Sequence, residues 1–356
     1  MKRTKLLSLC MAGMLVLLTG CGASGGGKDN AVKETADAET ESDKAVASSG
    51  KKLKVALVTA SGGLGDRSFN DTAWIGFQRA NKELGVEIKV VEPQSVSDYP
   101  TTLTAVADGG YDFIMAVGND WVDTLNTVAP KYPEIHFAGV NVDCQMDNVS
   151  VAKFSDFEAG FMAGSLAGMM TETEMVGYLG GMDVPAIQRF YVGYEEGAKY
   201  VNPEVNVISA FVGSFSDPGK GKEFALQMIS QKADVIYHGA GKSGEGLFDA
   251  IKDAPDGYYA IGCDSDQDYI VEGKVLGSTI KRVDVAAYSM IKDMLDGTLQ
   301  SGDIIYNLEN GGIGFSEMKY TKDTVVSKEV QDKLQQIQDK IISGEIKITD
   351  VFETAG

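Results

Sequence analysis

Three groups of residues have types and spacings that can do chemistry. Gly239-Ala240-Gly241-Lys242-Ser243 looks like the end of a phosphate-binding loop, in which backbone N–H groups cradle phosphates and a lysine neutralises them. Such a loop needs a glycine five residues before Gly241, and Ile236 stands there. Asp264, Asp266 and Asp268 reproduce the opening of a calcium loop, where alternate oxygens converge on one ion. Tyr269 occupies the place of the turn glycine and Val275 that of the closing glutamate, so no calcium site is expected. Gly63 and Gly65 begin a dinucleotide fingerprint that Ser68 breaks at its third glycine. His136 and His238 each lack a neighbouring His or Cys at ligand spacing, so neither reads as a metal ligand. No Gly-x-Ser-x-Gly context marks an activated nucleophile, which lowers the case for an enzyme. Neither cofactor nor metal is expected.

What positions these residues is a regular alternation of short apolar runs and amphipathic stretches. A strand at KVALVT is followed by a Gly-rich turn and a helix over 71–84, with Ala73, Trp74, Phe77, Ala80 and Leu84 on one face. Further strands are expected over 86–91, 113–117 and 135–140, with helices near 100–107 and over 121–129 between them. After a helix over 156–170 the pattern restarts, with strands over 176–179, 205–211, 235–237, 258–261 and 275–280. Helices near 186–200, 219–231 and 246–252 separate these strands. A helix over 283–295, a strand near Ile304 and a helix over 328–342 complete the chain. This is an α/β protein of two doubly wound, mostly parallel sheets, hence two lobes joined by short crossings. Ligands of such sheets sit outside the carboxyl ends of the strands. The segments there, 60–70, 118–120, 180–189, 213–217, 239–244, 263–268 and 281–282, supply rings, carboxylates, amides and a lysine. That set suits a polar, ring-shaped ligand closed between two halves.

The amino terminus carries a separate chemistry. Lys2, Arg3 and Lys5 precede an apolar run over 6–18, the layout of a secretory signal. The run ends in Leu18-Thr19-Gly20-Cys21, a sequence like the lipobox whose cysteine thiol takes a diacylglycerol before cleavage. Residues 1–20 are read as the signal, Cys21 as the lipidated residue, and 21–51, poor in bulky apolar residues, as a disordered tether. Removing the signal deletes three positive charges and no negative one, taking the formal charge from −19 to −22. So acidic a chain is not built to bind nucleic acid or an anionic lipid surface. Of the four cysteines, Cys144 and Cys263 remain in the folded part and read as buried thiols.

The motifs GDRSFND, VGYLGGMDVPAIQRFYVGYEEGAK, VGSFSDPGKGKE, IGCDSDQD and STIKRVDVA, in this order behind a lipobox, resemble the basic membrane protein family of PnrA-like lipoproteins. The likeness runs from about Leu53 to the carboxyl terminus. It implies a type I periplasmic-binding-protein fold, with one lobe from 52–154 plus about 282–310 and the other from 155–281 plus about 311–356. It also implies a receptor on the extracytoplasmic face of the membrane that delivers a purine nucleoside to an ABC permease and its ATPase.

Carried over by motif, Phe69 of SFN and Phe215 of GSFSDP would stack on the base from opposite lobes, with Asn70 as a nearby polar group. Asp264 of IGCD would accept from the ribose hydroxyls, and Lys281 of IKR would donate to the sugar while pairing with that carboxylate. Gly239 would let backbone approach the ligand, Asp120 of VGND would meet a polar ring edge, and Arg189 of QRF would gate or line the cleft. One residue departs from the family pattern: Ala60 stands where relatives carry an aspartate after the first strand. Losing one charged hydrogen bond shifts affinity by about 1.5–3 kcal/mol. A receptor for a sugar or another small hydroxylated solute therefore stays open, as do a nucleoside hydrolase and a surface antigen without a small-molecule ligand.

Overall fold

In the computed structural model, which describes residues 52–352, the apolar runs KVALV and FIMAV lie side by side as strands at the centre of a sheet. Strands buried on both faces read as continuous apolar runs, because helices cover the sheet above and below. The chain runs β1 (Lys54–Val58), α1 (Phe69–Leu84), β2 (Glu87–Val91), α2 (Tyr99–Asp108), β3 (Phe113–Val117), α3 (Val122–Val128), β4 (His136–Val140) and β5 (Val149–Phe154). It continues through α4 (Asp156–Met170), β6 (Met175–Gly180), α5 (Pro185–Val201), β7 (Asn206–Phe211), α6 (Pro218–Ser230), β8 (Val235–Gly239), α7 (Glu245–Asp253) and β9 (Tyr259–Gly262). It ends with β10 (Val275–Lys281), α8 (Val283–Asp296), β11 (Gly302–Tyr306), β12 (Ile313–Phe315) and α9 (Lys328–Ile342).

The strands form two six-stranded sheets, ordered β2-β1-β3-β4-β5-β11 and β7-β6-β8-β9-β10-β12. Every pairing is parallel except β10 with β12. The strand order reverses between β1 and β3 in the first sheet and between β6 and β8 in the second, and a crevice opens where adjacent connections leave in opposite directions. The chain crosses between sheets after β5, after β10 and between β11 and β12. Two of these crossings are tied by backbone bonds, Ser155 N–H to the Tyr306 carbonyl at 2.9 Å and Arg282 N–H to the Gly312 carbonyl at 2.9 Å.

Several details depart from the sequence reading. α1 starts at Phe69, two residues before the expected helix, so Phe69 and Asn70 sit in its first turn. β5 was not anticipated, nor was the three-residue β12. Cys144 and Cys263 are buried and unpaired. The signal over 1–20, the lipidation site Cys21 and the tether over 21–51 lie outside the described residues. Among the described residues no helix is long and apolar enough to cross a membrane.

Candidate functional site

The carboxyl ends of β1, β3 and β4 face those of β8, β9 and β10 across a cleft, the place where open parallel sheets bind their ligands. Seven of the eight residues singled out from the sequence line it: Phe69, Asn70, Asp120, Phe215, Gly239, Asp264 and Lys281. Phe69 opens α1 in the first lobe, and Phe215 lies in the loop between β7 and α6 in the second. Asn70 is committed on both sides of its amide: Oδ1 accepts from Ala60 N–H at 3.0 Å and Nδ2 donates to Asp66 Oδ2 at 3.0 Å. Gly239 ends β8 against the Tyr178 hydroxyl, where a Cβ would come within 2.4 Å of that oxygen.

Asp120 follows β3 through Gly118, whose φ of 128° favours glycine. The Tyr99 hydroxyl donates to Asp120 Oδ2 at 2.8 Å, and the Tyr99 ring stacks on Trp121 with centroids 3.7 Å apart. Asp120 Oδ1 is buried with no partner among the described residues, and a Cβ on Gly118 would come within 2.6 Å of it and 3.3 Å of the Ala60 methyl group. Burial raises the Asp120 carboxyl above its usual range and, with the neighbouring carboxylate, raises the Tyr99 phenol. Asp264, 9% exposed with φ 67°, accepts at Oδ2 from the Ser68 hydroxyl at 2.7 Å, a bond that joins the two lobes.

Lys281 pairs with a different carboxylate from the one expected. Its Nζ lies 2.9 Å from Oδ1 of Asp156, at the start of α4, not on Asp264. The ammonium sits 4.9 Å from the Phe69 ring centroid, 5.1 Å from Phe154 and 5.5 Å from Phe190, a box of ring faces that attract a cation. Asn141 Nδ2 donates to the other Asp156 oxygen. Burial raises the Asp156 carboxyl, opposed first by the nearby Lys281 charge.

Arg189 does not line the cleft. It is 7% exposed, donates through Nε and Nη2 to both oxygens of Asp350 at 2.8 and 2.7 Å, and through Nη1 to the Phe154 carbonyl at 2.8 Å. The planar guanidinium suits that two-pronged grip and fastens the carboxyl-terminal segment to the end of β5.

The reading of sequence missed Asp66, Asn141 and Asp156, all of which line the cleft. Asp66, three residues before α1, and Asp156, the first residue of α4, carry a usable signal, since helix amino termini favour negative charge. The discarded motifs have other work. Ser243 donates to the Ser214 carbonyl at 2.8 Å and accepts from Asp217 N–H at 2.9 Å, tying two loops together. Asp268 accepts from the hydroxyls of Ser278 and Ser316, both at 2.7 Å. No cluster of three or more potential metal ligands occurs among the described residues.

The arrangement offers apolar ring faces from both lobes together with carboxylates and one buried ammonium, groups that can stack a ring and hydrogen-bond to hydroxyls. Residues 53–351 match the family described as ABC transporter substrate-binding protein, PnrA-like. A Lactococcus lactis protein named ABC transporter nucleoside-binding protein BmpA is 35% identical over 317 residues, covering 83% of this chain and 89% of its own. Basic membrane protein A of Borreliella burgdorferi is 31% identical over 299 residues, covering 82% and 86%. Among solved structures, an ABC transporter solute-binding protein from Aeropyrum pernix superposes with a TM-score of 0.79 at 32% identity, covering 84% of this chain and 93% of its own.

Proposed function

The chain belongs to the PnrA-like family of ABC transporter substrate-binding proteins, and on that premise we propose that it captures a purine nucleoside between its lobes and delivers it to an ABC permease and its ATPase. The observation that carries this reading is a single cleft that brings Phe69 and Phe215 from opposite lobes together with Asp264 and Lys281. The base lies between the two rings, gaining about 1–3 kcal/mol per stacked ring. Asp264 accepts from the vicinal hydroxyls of the ribose through the oxygen that Ser68 leaves free. Lys281, held by Asp156, donates to the sugar from within its box of rings. Asp120 Oδ1 takes an N–H from the base edge. The name of the Lactococcus lactis relative supports a nucleoside as the ligand. Ligand touching both lobes shifts the population toward the closed state by its differential affinity.

Cys21 carries the lipid that holds the protein on the extracytoplasmic face of the membrane, a reading supported by relatives named as lipoproteins. A second ligand class has one observation in its favour: Ala60 presents only a methyl group to the cleft, so a sugar or other hydroxylated solute that needs no second carboxylate at that point fits as well.

Calorimetric titration with inosine tests the site. Phe69→Ala and Asp264→Asn are each expected to weaken binding by about tenfold or more with the fold intact. Asparagine tolerates the positive φ at position 264, so the second variant removes charge without straining the backbone. Wild-type affinity in both variants would overturn the assignment.

A further inference from the structure

The lobes also touch through groups that do not face the cleft. Arg67, just before α1, has φ 50°, and its carbonyl accepts two bonds from the second lobe: from the Ser265 hydroxyl at 2.6 Å and from Gln267 Nε2 at 3.0 Å. Next to it the Ser68 hydroxyl donates to Asp264, and the Arg67 side chain lies 3.6 Å from Glu245. Arg67 and Asp264, the residue before Ser265, both hold a positive φ that residues other than Gly rarely adopt. Strain of that kind persists where surrounding contacts overdetermine it, typically at clamps and switches.

The Gln267 amide is oriented from below. Ala240 N–H points to His238 Nδ1 at 3.4 Å, which leaves the ring's Nε2–H to donate to Gln267 Oε1 at 2.9 Å. Cys263 N–H donates to the same oxygen at 2.8 Å. With Oε1 taken by two donors, the amide can only present Nε2–H to the Arg67 carbonyl. Gln267 is 1% exposed, so no water competes for the bond.

We infer that the Arg67 carbonyl of the first lobe and the Ser265 and Gln267 side chains of the second form a latch that sets the balance between open and closed lobes, with Gln267 as a positioning residue. Neither Ser265 nor Gln267 lines the cleft, so the latch tunes affinity without touching ligand. The inference rests on the receptor reading, in which only the closed form holds its ligand fully, and apparent affinity scales with the population able to close.

The test uses purified protein freed of carried-over ligand by unfolding and refolding, with spin labels at the exposed positions of Gln78→Cys and Glu272→Cys, one in each lobe. Gln267→Glu keeps the acceptor for His238 and Cys263 but turns a carboxylate oxygen toward the Arg67 carbonyl. Ser265→Ala removes one donor from a half-buried side chain and so remains informative should the first variant fold poorly. Both are expected to broaden the distance distribution toward the open form and to speed inosine dissociation by about tenfold. Ser265→Thr, which keeps the hydroxyl, is expected to restore wild-type behaviour. Wild-type distance distributions in Gln267→Glu and Ser265→Ala would overturn the latch. Failure of inosine to bind the wild-type protein would count against the nucleoside reading alone, because the ligand-free distances decide the latch independently.

Discussion

Asp66 concentrates the physical tension of the site in one side chain. Its Oδ1 accepts from the N–H groups of Ser68 and Asp71 at 3.0 and 3.1 Å, and its Oδ2 from the N–H of Asn70 at 2.8 Å and from Asn70 Nδ2 at 3.0 Å. These bonds hold the first turn of α1, and Phe69 with it, at the rim of the cleft. Burial nevertheless outweighs the donors and pushes the carboxyl up to about 6. A raised folded-state value means that the native state binds the proton more tightly than the unfolded chain does. The stability from this group is therefore full below about pH 4 and is lost as pH rises through about 6, by about 3 kcal/mol in all. In denaturant titrations, stability should fall less between pH 4 and 6.5 in Asp66→Asn than in the wild type; parallel profiles would contradict the assignment. Phe69, Asp264 and Lys281 were legible as cleft residues because each lies in a motif that the family resemblance carries, at or beyond the carboxyl end of a strand. The hydrogen-bonding role of Asp66 was not, since an acid near a helix start signals only a favourable charge there, and neither was the partner of Lys281, because Asp156 is distant in sequence and meets it only through the fold.

Helices α4 and α5 show how an element can be easy to find and hard to understand from its sequence. α4 spans Asp156–Met170, the range its composition suggests, yet it is buried nearly all round and so carries no single apolar stripe. What joins it to α5 is a set of glycines. A Cβ on Gly160 would come within 2.2 Å of the Phe190 carbonyl oxygen, one on Gly164 within 2.0 Å of that of Tyr194, and one on Gly197 within 2.1 Å of that of Phe161. The backbones thus touch, and α5 carries Arg189 to the end of β5. Gly164→Ala must push the helices apart and should lower stability by about 1–3 kcal/mol, seen as a fall in Tm. Gly314→Ala is the control, since its nearest neighbour would lie 4.0 Å away; equal effects of the two substitutions would refute the close-packing account. β12 escaped notice for the opposite reason: three residues with a central glycine, Ile313–Phe315, make no periodic pattern, and only pairing with β10 defines them.

At the scale of the whole molecule, alternation of strand and helix made two parallel-sheet lobes legible, because each local run reports its own period. Which late strand joins which sheet depends on long-range pairing: β11 adds to β5 in the first sheet and β12 to β10 in the second. These returns make three crossings between the lobes, and the carboxyl-terminal segment reaches back to grip Arg189 through Asp350 beside the first of them. A molecule wired in this way can open and close about its crossings while the cleft residues keep their places within each lobe. The central claim is that the lobes close on a nucleoside. A thermal-shift titration of ligand-stripped protein against purine and pyrimidine nucleosides, free bases and simple sugars tests it most directly. Ligand at a hundred times its Kd stabilises the fold by about 2.7 kcal/mol. Inosine, guanosine or adenosine should raise Tm where free ribose does not; a shift with a sugar and none with any nucleoside would contradict the account.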